Sequence, residues 1–383
     1  MPGLRNDCNS VGPTEPEWAL ERKQSMTPRE NLRSLYERNG YEWVPADFGA
    51  CPEVQEKIKQ AIGEETLAEY FDWPQGLESF VGTPGVKLVE REEPDWRSYY
   101  PGGVADGAWF EPYGVVHEPG SAAAKHMTRM RHPLSSIDSV EQLEAFPWPD
   151  WEWDNIDEMA AAVETAHAGG KAVMKGMQQT IWETAWKIRD MTQLMMDMMT
   201  NDPKAVWLLD KITDDSCRRA ASYARAGADI VSLGDDIGMQ DRIMMSEEMY
   251  REWLKPRLAT VCATIKEANP DTLIHYHSCG YVTPFIQDLI EAGVDILNPV
   301  QPECMSFEEI HAEYGDRLSF HGTIGTQTTM PFGTPQDVRD TVFRNLDIAR
   351  EQGGLLPAPT HILEPEVTWE NVKAYILACK EYA

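Results

Sequence analysis

The sequence predicts an α/β chain folded as a (β/α)8 TIM barrel with an irregular N-terminal insertion, and three observations carry that prediction. From residue 171 onward, short apolar runs alternate with segments of helical periodicity, as parallel strands joined by crossover helices do. Six such runs follow residue 170 and two more are expected before it, and eight units close a barrel. Chemically versatile side chains stand at the ends of those runs, where barrels carry their sites.

The elements follow in order. Residues 1–26 form a polar leader, expected to be mobile. Thr27-Pro28-Arg29-Glu30 has the form of a capping box, with Thr27 as N-cap and Pro28 at the first position of a helix reaching about Arg38. Glu42 to Phe48 is expected to be the first strand. Residues 50–150 are rich in Trp, Tyr, Pro and Gly and show little periodicity, which predicts an insertion that folds over a site. Lys171 to Met177 is a strand. Ile181 to Met199 repeats Met, Trp and Ile at helical spacing, and Asn201-Asp202-Pro203 ends that helix and starts the next. Ala228 to Gly234 is a strand, and a long helix from Ser246 to Asn269 leads into a further strand, Thr272 to His277. Val294 to Pro299, Leu318 to Gly322 and Leu355 to Pro359 complete the set. Residues 1–383 are thus one barrel domain with a leader and an insertion at about 50–150.

Composition narrows the function. With 383 residues, 42% hydrophobic and 25% charged, the chain can bury a large core. Its 34 basic and 63 acidic residues leave a net charge of -29, which disfavours nucleic acid and anionic membrane alike. No apolar stretch is long enough to span a bilayer and the first residues lack a signal-peptide core, so a cytoplasmic enzyme is expected. Seven scattered cysteines do not form a disulfide framework.

The strand ending His277-Ser278-Cys279-Gly280 carries most of the functional information. In an extended backbone positions two apart point the same way, so His277 and Cys279 can offer a nitrogen and a sulfur to one ion. They are equally compatible with an ordinary polar strand end, since ligand sets usually have three or four members. Asp235 and Asp236, Asn298 with Gln301 and Cys304, His321 and His361 stand at the other strand ends and would ring the same mouth. Each has a plainer alternative: a loop cap for the aspartates, a core histidine for His275 or His321, a small apolar filler for Cys304.

Several motifs resemble the uroporphyrinogen decarboxylase-like superfamily, in particular its zinc- and corrinoid-dependent methyltransferase branch. They are Met26-Thr27-Pro28-Arg29-Glu30, Ile181-Trp182-Glu183-Thr184-Ala185-Trp186, Gly234-Asp235-Asp236-Ile237-Gly238-Met239-Gln240, His277-Ser278-Cys279-Gly280 with Asn298-Pro299-Val300-Gln301, and His321-Gly322-Thr323 through Ala358-Pro359-Thr360-His361. The Arg-Gln-Ala-Gly-Arg signature of true decarboxylases is absent, and His361 stands where the coenzyme M branch has a late cysteine.

The resemblance implies methyl transfer from an O-methylated donor to the cob(I)alamin of a separate corrinoid protein, with zinc as Lewis acid. It implies His277, Cys279 and His361 as metal ligands, with Glu183 or Cys304 as alternates. Asp236 and His321 are then the catalytic candidates, and Glu183, Asp235, Asn298 and Gln301 the substrate-binding ones. Zinc is the expected cofactor and cobalamin is carried by the partner, since no Asp-x-His-x-x-Gly motif is present here. A homodimer is compatible. Phe71, Trp73, Trp96 and Trp109 either wall a methoxyaromatic ring or pack the insertion. Two other readings stay open: a metal-free lyase using Asp235 or Asp236 as acid, and a non-catalytic tetrapyrrole- or corrinoid-binding barrel.

Overall fold

Seven parallel strands pair in chain order into one curled sheet of TIM-barrel type. They are β1 (Phe80–Val81), β2 (Ala172–Gln178), β3 (Ile230–Gly234), β4 (Leu273–His277), β5 (Ile296–Asn298), β6 (Ser319–Ile324) and β7 (Leu355–Pro359). This computed structural model describes residues 26–120, 128–153, 155–350 and 353–382, so the expected leader lies, but for Met26, outside the described residues. Among the described residues no helix is long and apolar enough to cross a membrane, and the six described cysteines are free.

The strands alternate faces as period two requires. Ala172, Ile230, Ile296, Leu356 and Ala358 point inward and pack on Leu32, Leu35 and Tyr36, so the helix Pro28–Tyr36 plugs the N-terminal end of the barrel. That helix begins with the predicted capping box, Thr27 accepting from the Glu30 amide while Glu30 accepts from Thr27. Outward residues such as Val231, Leu233 and Ile274 pack beneath the outer helices, among them Pro203–Arg225 and Lys255–Ala268.

Three expectations are corrected. Glu42 to Phe48 is no strand, because its backbone groups bond to side chains and, at Ala46, to the Gly76 carbonyl, and to no neighbouring strand among the described residues. Asn31 accepts from the Glu42 amide at 2.7 Å and donates to the Trp43 carbonyl at 3.0 Å; the Tyr375 hydroxyl bridges Asp47 and Pro357. Pro45 also lacks the N–H a ladder needs. The first strand of the sheet is Phe80–Val81, inside the stretch expected to be irregular, and it pairs Phe80 with Ala172. Seven strands therefore stand where eight were expected among the described residues. Finally, both long helices are broken. Asp190, at φ 78°, separates Trp182–Arg189 from Met191–Met199 and caps the second. Leu254, with Pro256 close behind it, separates Glu247–Trp253 from Lys255–Ala268.

The remainder of 50–150 holds the helix Pro52–Ile62 and small antiparallel ladders, Trp109–Phe110 with Val116–Pro119 and Thr128–Arg131, and Lys87–Leu88 with Trp151–Glu152. Of its aromatics, Phe71, Trp73 and Trp96 are buried in the main core, and Trp109 stacks on His117 with centroids 4.1 Å apart. Packing is the reading the three buried ones support, whereas Trp109 is half exposed.

Candidate metal centre

The chain's chemistry gathers where β3, β4 and β5 end. Gly234 closes β3, and a Cβ there would lie 2.6 Å from the His277 carbonyl oxygen, so only glycine lets the two strand ends approach. Gly280, at φ 83°, turns the chain away after Cys279, where a side chain would meet the Met239 carbonyl oxygen at 2.6 Å.

The two aspartates after Gly234 part company. Asp235 is buried and accepts from the Ile181 amide at 3.0 Å and the Glu183 amide at 2.9 Å, which anchors the start of the helix Trp182–Arg189. Burial nonetheless pushes its carboxyl up to about 7. Asp236 turns to β4, where its Oδ1 accepts from the Cys279 amide at 2.8 Å and lies 3.8 Å from His277 Nε2.

His277 is held in one tautomer by Asn298. The amide nitrogen of Asn298 donates to the His321 carbonyl at 2.6 Å, and a carbonyl can only accept, so the amide oxygen must face His277 Nδ1 at 2.5 Å. The proton therefore sits on Nδ1, and the Nε2 lone pair faces Cys279 Sγ at 3.4 Å. One ligand atom each from Asp236, His277 and Cys279 lies within 4.8 Å of the others, the only such group of three among the described residues.

The electrostatics explain what that group lacks. Burial pushes the Cys279 thiol up to about 12, and Asp236, Glu183 and Cys304 add to the effect. Burial also pushes Glu183 up to about 8, helped by Asp235 and Asp236, and lowers His277. No lysine or arginine ion-pairs with Asp236 or Glu183 among the described residues; Lys187 only tempers Glu183. A neutral imidazole, a thiol and a carboxylate are zinc donors, and a divalent cation reverses the penalty that burial places on the anionic forms. The residues fit the metal.

The other expected residues stand around this group. Glu183 accepts from the Asp236 amide at 3.2 Å. Gln301 accepts from the Gly280 amide at 3.1 Å and lines a cavity of about 360 Å³ together with Cys279 and His361. His361 is exposed at the rim of that cavity, outside the three-residue group. Cys304 is half-buried, close enough to Cys279 to raise its thiol. His321 faces the barrel interior, its Nε2 3.2 Å from Asp47 Oδ2.

The sequence pattern of the family described as uroporphyrinogen decarboxylase matches residues 122–382, well over half of the chain. The chain belongs to the uroporphyrinogen decarboxylase family. No match is found among curated proteins. Among solved structures, a methyltransferase from Methanosarcina mazei aligns over 93% of this chain and 99% of that one, with TM-score 0.60 and 19% identity, and so shares the fold. A psychrophilic glycoside hydrolase family 10 endo-β-1,4-xylanase aligns over 61% of this chain and 83% of that one, at TM-score 0.37 and 12% identity, too low to add to the assignment.

Two residues of this uroporphyrinogen decarboxylase family member escaped the sequence. Tyr36 and Asp47 reach the barrel interior from outside the strands, and no local pattern marks them. Asp236 was legible as reactive, but its place beside His277 and Cys279 depends on which of two adjacent aspartates faces β4.

Proposed function

We propose that the chain is a zinc-dependent methyltransferase that moves a methyl group from an O-methylated donor, a class that includes methoxyaromatic ethers, to the cob(I)alamin of a corrinoid protein. The observation that carries the reading is the His277 Nε2 lone pair, fixed by Asn298 and aimed at Cys279 with Asp236 alongside. His277, Cys279 and Asp236 would hold the metal, with His361 at the cavity rim as the further candidate. When bound, zinc supplies Lewis acidity to the donor's ether oxygen, worth several kcal/mol for an unactivated ether.

The chain's own residues supply the rest. Asn298 keeps the imidazole in its ligand tautomer, and the Asp236–Cys279 amide bond keeps thiol and carboxylate on one side. The methyl group leaves without the C–O bonding pair, so the oxygen retains that pair and takes a proton. With Asp236 taken up as a metal ligand, His321, whose Nε2 lies 3.2 Å from Asp47, is the group proposed to deliver it. Gln301, Glu183 and Asp235 brace the loops that bear these groups, through the Gly280 and Asp236 amides and the start of the helix Trp182–Arg189. A docking corrinoid protein and a cytoplasmic setting belong to the same proposal.

Metal analysis of purified protein tests it, followed by single turnover with cob(I)alamin and methoxylated compounds. Stoichiometric zinc is expected, lost in a His277→Ala, Cys279→Ala variant together with transfer, a drop on the order of 10³-fold. Absence of metal sinks the reading and favours a lyase, for which Glu183, held protonated near neutrality, is a ready acid.

A further inference from the structure

A second cavity, of about 230 Å³, is enclosed by Glu111 to Val115, Trp151 and Trp153 on one side and by the end of β2, the helix Trp182–Arg189 and the helix Pro203–Arg225 on the other. Its lining shares no residue with the cavity beside Cys279 and His361. Tyr113, Trp151 and Trp153 are its aromatic walls, Val115, Ile188 and Ile212 add apolar surface, and Arg219 reaches it as a cation. These groups meet around one point. Arg219 lies over the Trp151 ring, 5.7 Å from its centroid. Burial pushes the Tyr113 hydroxyl up to about 12, while Arg219 pulls it down and Asp215 and Glu111 push it further, so all three charges are within reach of that one oxygen.

The charges of the lining are unequally answered. Glu111 accepts from Lys187 Nζ at 2.5 Å and lies 2.7 Å from His117 Nε2, and Asp215 is paired with Lys211 at 2.5 Å. Arg219 has neither a carboxylate in ion-pair range nor a hydrogen-bond partner among the described residues, although it is half-buried in a chain of net charge -29. Two side-chain amides of the lining also keep donors to spare. Gln179 Oε1 accepts from Lys187 Nζ at 2.9 Å, which leaves its NH2 group unpartnered among the described residues, as is the Gln178 side chain. Gln179 holds φ 64°, a region that residues other than glycine seldom occupy and that recurs at ligand clamps. The charged acceptors are therefore taken and the donors are not, so the cavity is built for an anion.

We propose that this cavity binds a small aromatic monocarboxylate, its carboxylate on the Arg219 guanidinium and its ring among Tyr113, Trp151 and Trp153. A planar guanidinium takes a carboxylate through two parallel hydrogen bonds. The carboxylates of Glu111 and Asp215 stand close enough to disfavour a dianion such as phosphate, since like charges brought together are costly. Aromatic and apolar walls select a flat ring over a sugar or an inorganic ion. A volume of about 230 Å³, below the roughly 300–1,000 Å³ of sites for drug-sized molecules, suits a single ring. The site is independent of the metal and of methyl transfer. Its occupant would join Tyr113, Trp151 and Trp153 to the helix Trp182–Arg189, whose start Asp235 anchors beside the metal group.

Calorimetric titration of the full chain with benzoate, benzamide and cyclohexanecarboxylate tests this, before and after chelation of metal. Benzoate is expected to bind about 10-fold more tightly than neutral benzamide, because a charge-assisted pair is stronger than a neutral hydrogen bond. It should also bind several-fold more tightly than cyclohexanecarboxylate, which has no flat face. Arg219→Met should erase the preference for benzoate over benzamide. Thr184→Phe, which puts a ring into the cavity from the helix Trp182–Arg189, should abolish binding of all three in a protein that still melts cooperatively. Chelation should leave every affinity unchanged. Equal affinity for benzoate and either of the other two overturns the proposal, as does benzoate binding undiminished in either variant. Benzoate binding that vanishes with the metal also overturns it, by placing the carboxylate on the metal group instead, and so does the absence of any binding. Should Arg219→Met fail to fold, the three-ligand comparison in the parent and the Thr184→Phe variant still decide. No readout needs methyl transfer, so a failed transfer assay with intact benzoate binding refutes the transfer reading alone.

Discussion

Strand β3 carries an acid at each end, and the two ends are treated in opposite ways. Before it, Asp229 is 1% exposed and fully answered: Arg29 lies at 2.8 Å, Arg33 at 3.5 Å, His167 at 2.8 Å, and the Val173 amide donates at 2.9 Å. After it, Asp236 has the Cys279 amide and a neutral imidazole, with no lysine or arginine in ion-pair range among the described residues. The same side-chain type therefore staples the barrel base at one end and stands beside an imidazole and a thiol, without a cationic partner among the described residues, at the other. Barrels divide stability and function between their two faces in this way. The distinguishing mark is compensation, since both ends hold partly or wholly buried charge.

Asp229→Ala is expected to have the largest effect, a destabilisation of about 2–4 kcal/mol seen in denaturant unfolding, below the top of the buried-pair range because the arginines stay partly hydrated. Asp236→Ala in chelated protein should barely move the midpoint. Equal losses at the two positions would erase the contrast between the ends.

Asn298→Ala sharpens the upper end. It frees the His277 tautomer and should weaken zinc binding by about 10–100-fold in competition with a chelator, with little change in fold. An unaltered affinity would mean that the imidazole does not depend on its amide.

The smallest effect concerns pH. Asp235 and Glu183 are raised to about 7 and about 8, above the usual carboxylate range of about 4, so the folded state binds their protons more tightly than the unfolded chain. Their contribution to stability is complete below about pH 4 and is lost as pH rises through 7 to 8. Melting temperatures of chelated protein should therefore fall across that window, more steeply than with zinc bound, and Glu183→Gln should flatten the decline. A flat profile in chelated protein would show that these carboxyls are better solvated than their surroundings suggest.

The barrel was readable because its signals are local and repeated. The six strands after residue 170 each end at or near a turn signal, and an apolar run of that length cannot hide its period. Glu42 to Phe48 misled for an equally physical reason: its hydrogen bonds run to the Asn31 and Tyr375 side chains and to the Gly76 carbonyl, all more than ten residues away, and backbone pattern is blind to them. Phe80–Val81 was missed because two residues carry no period. The break at Asp190 turns on a single positive φ that an aspartate tolerates.

At the site, His277 and Cys279 were legible from spacing alone, since alternation along a strand settles which side chains share a face. Alternation cannot say what stands opposite. That Asp236 completes the group while Asp235 anchors a helix, that Asn298 sets a tautomer, and that Tyr36 arrives from the N-terminal plug to meet His321 all follow from which elements lie side by side. The sequence by itself determined the architecture, the acidic surface and the reactive strand ends, because those depend on neighbours along the chain. Only the tertiary structure decided which charges are compensated and which polar groups lack partners, because both depend on residues far apart in sequence that meet across the barrel.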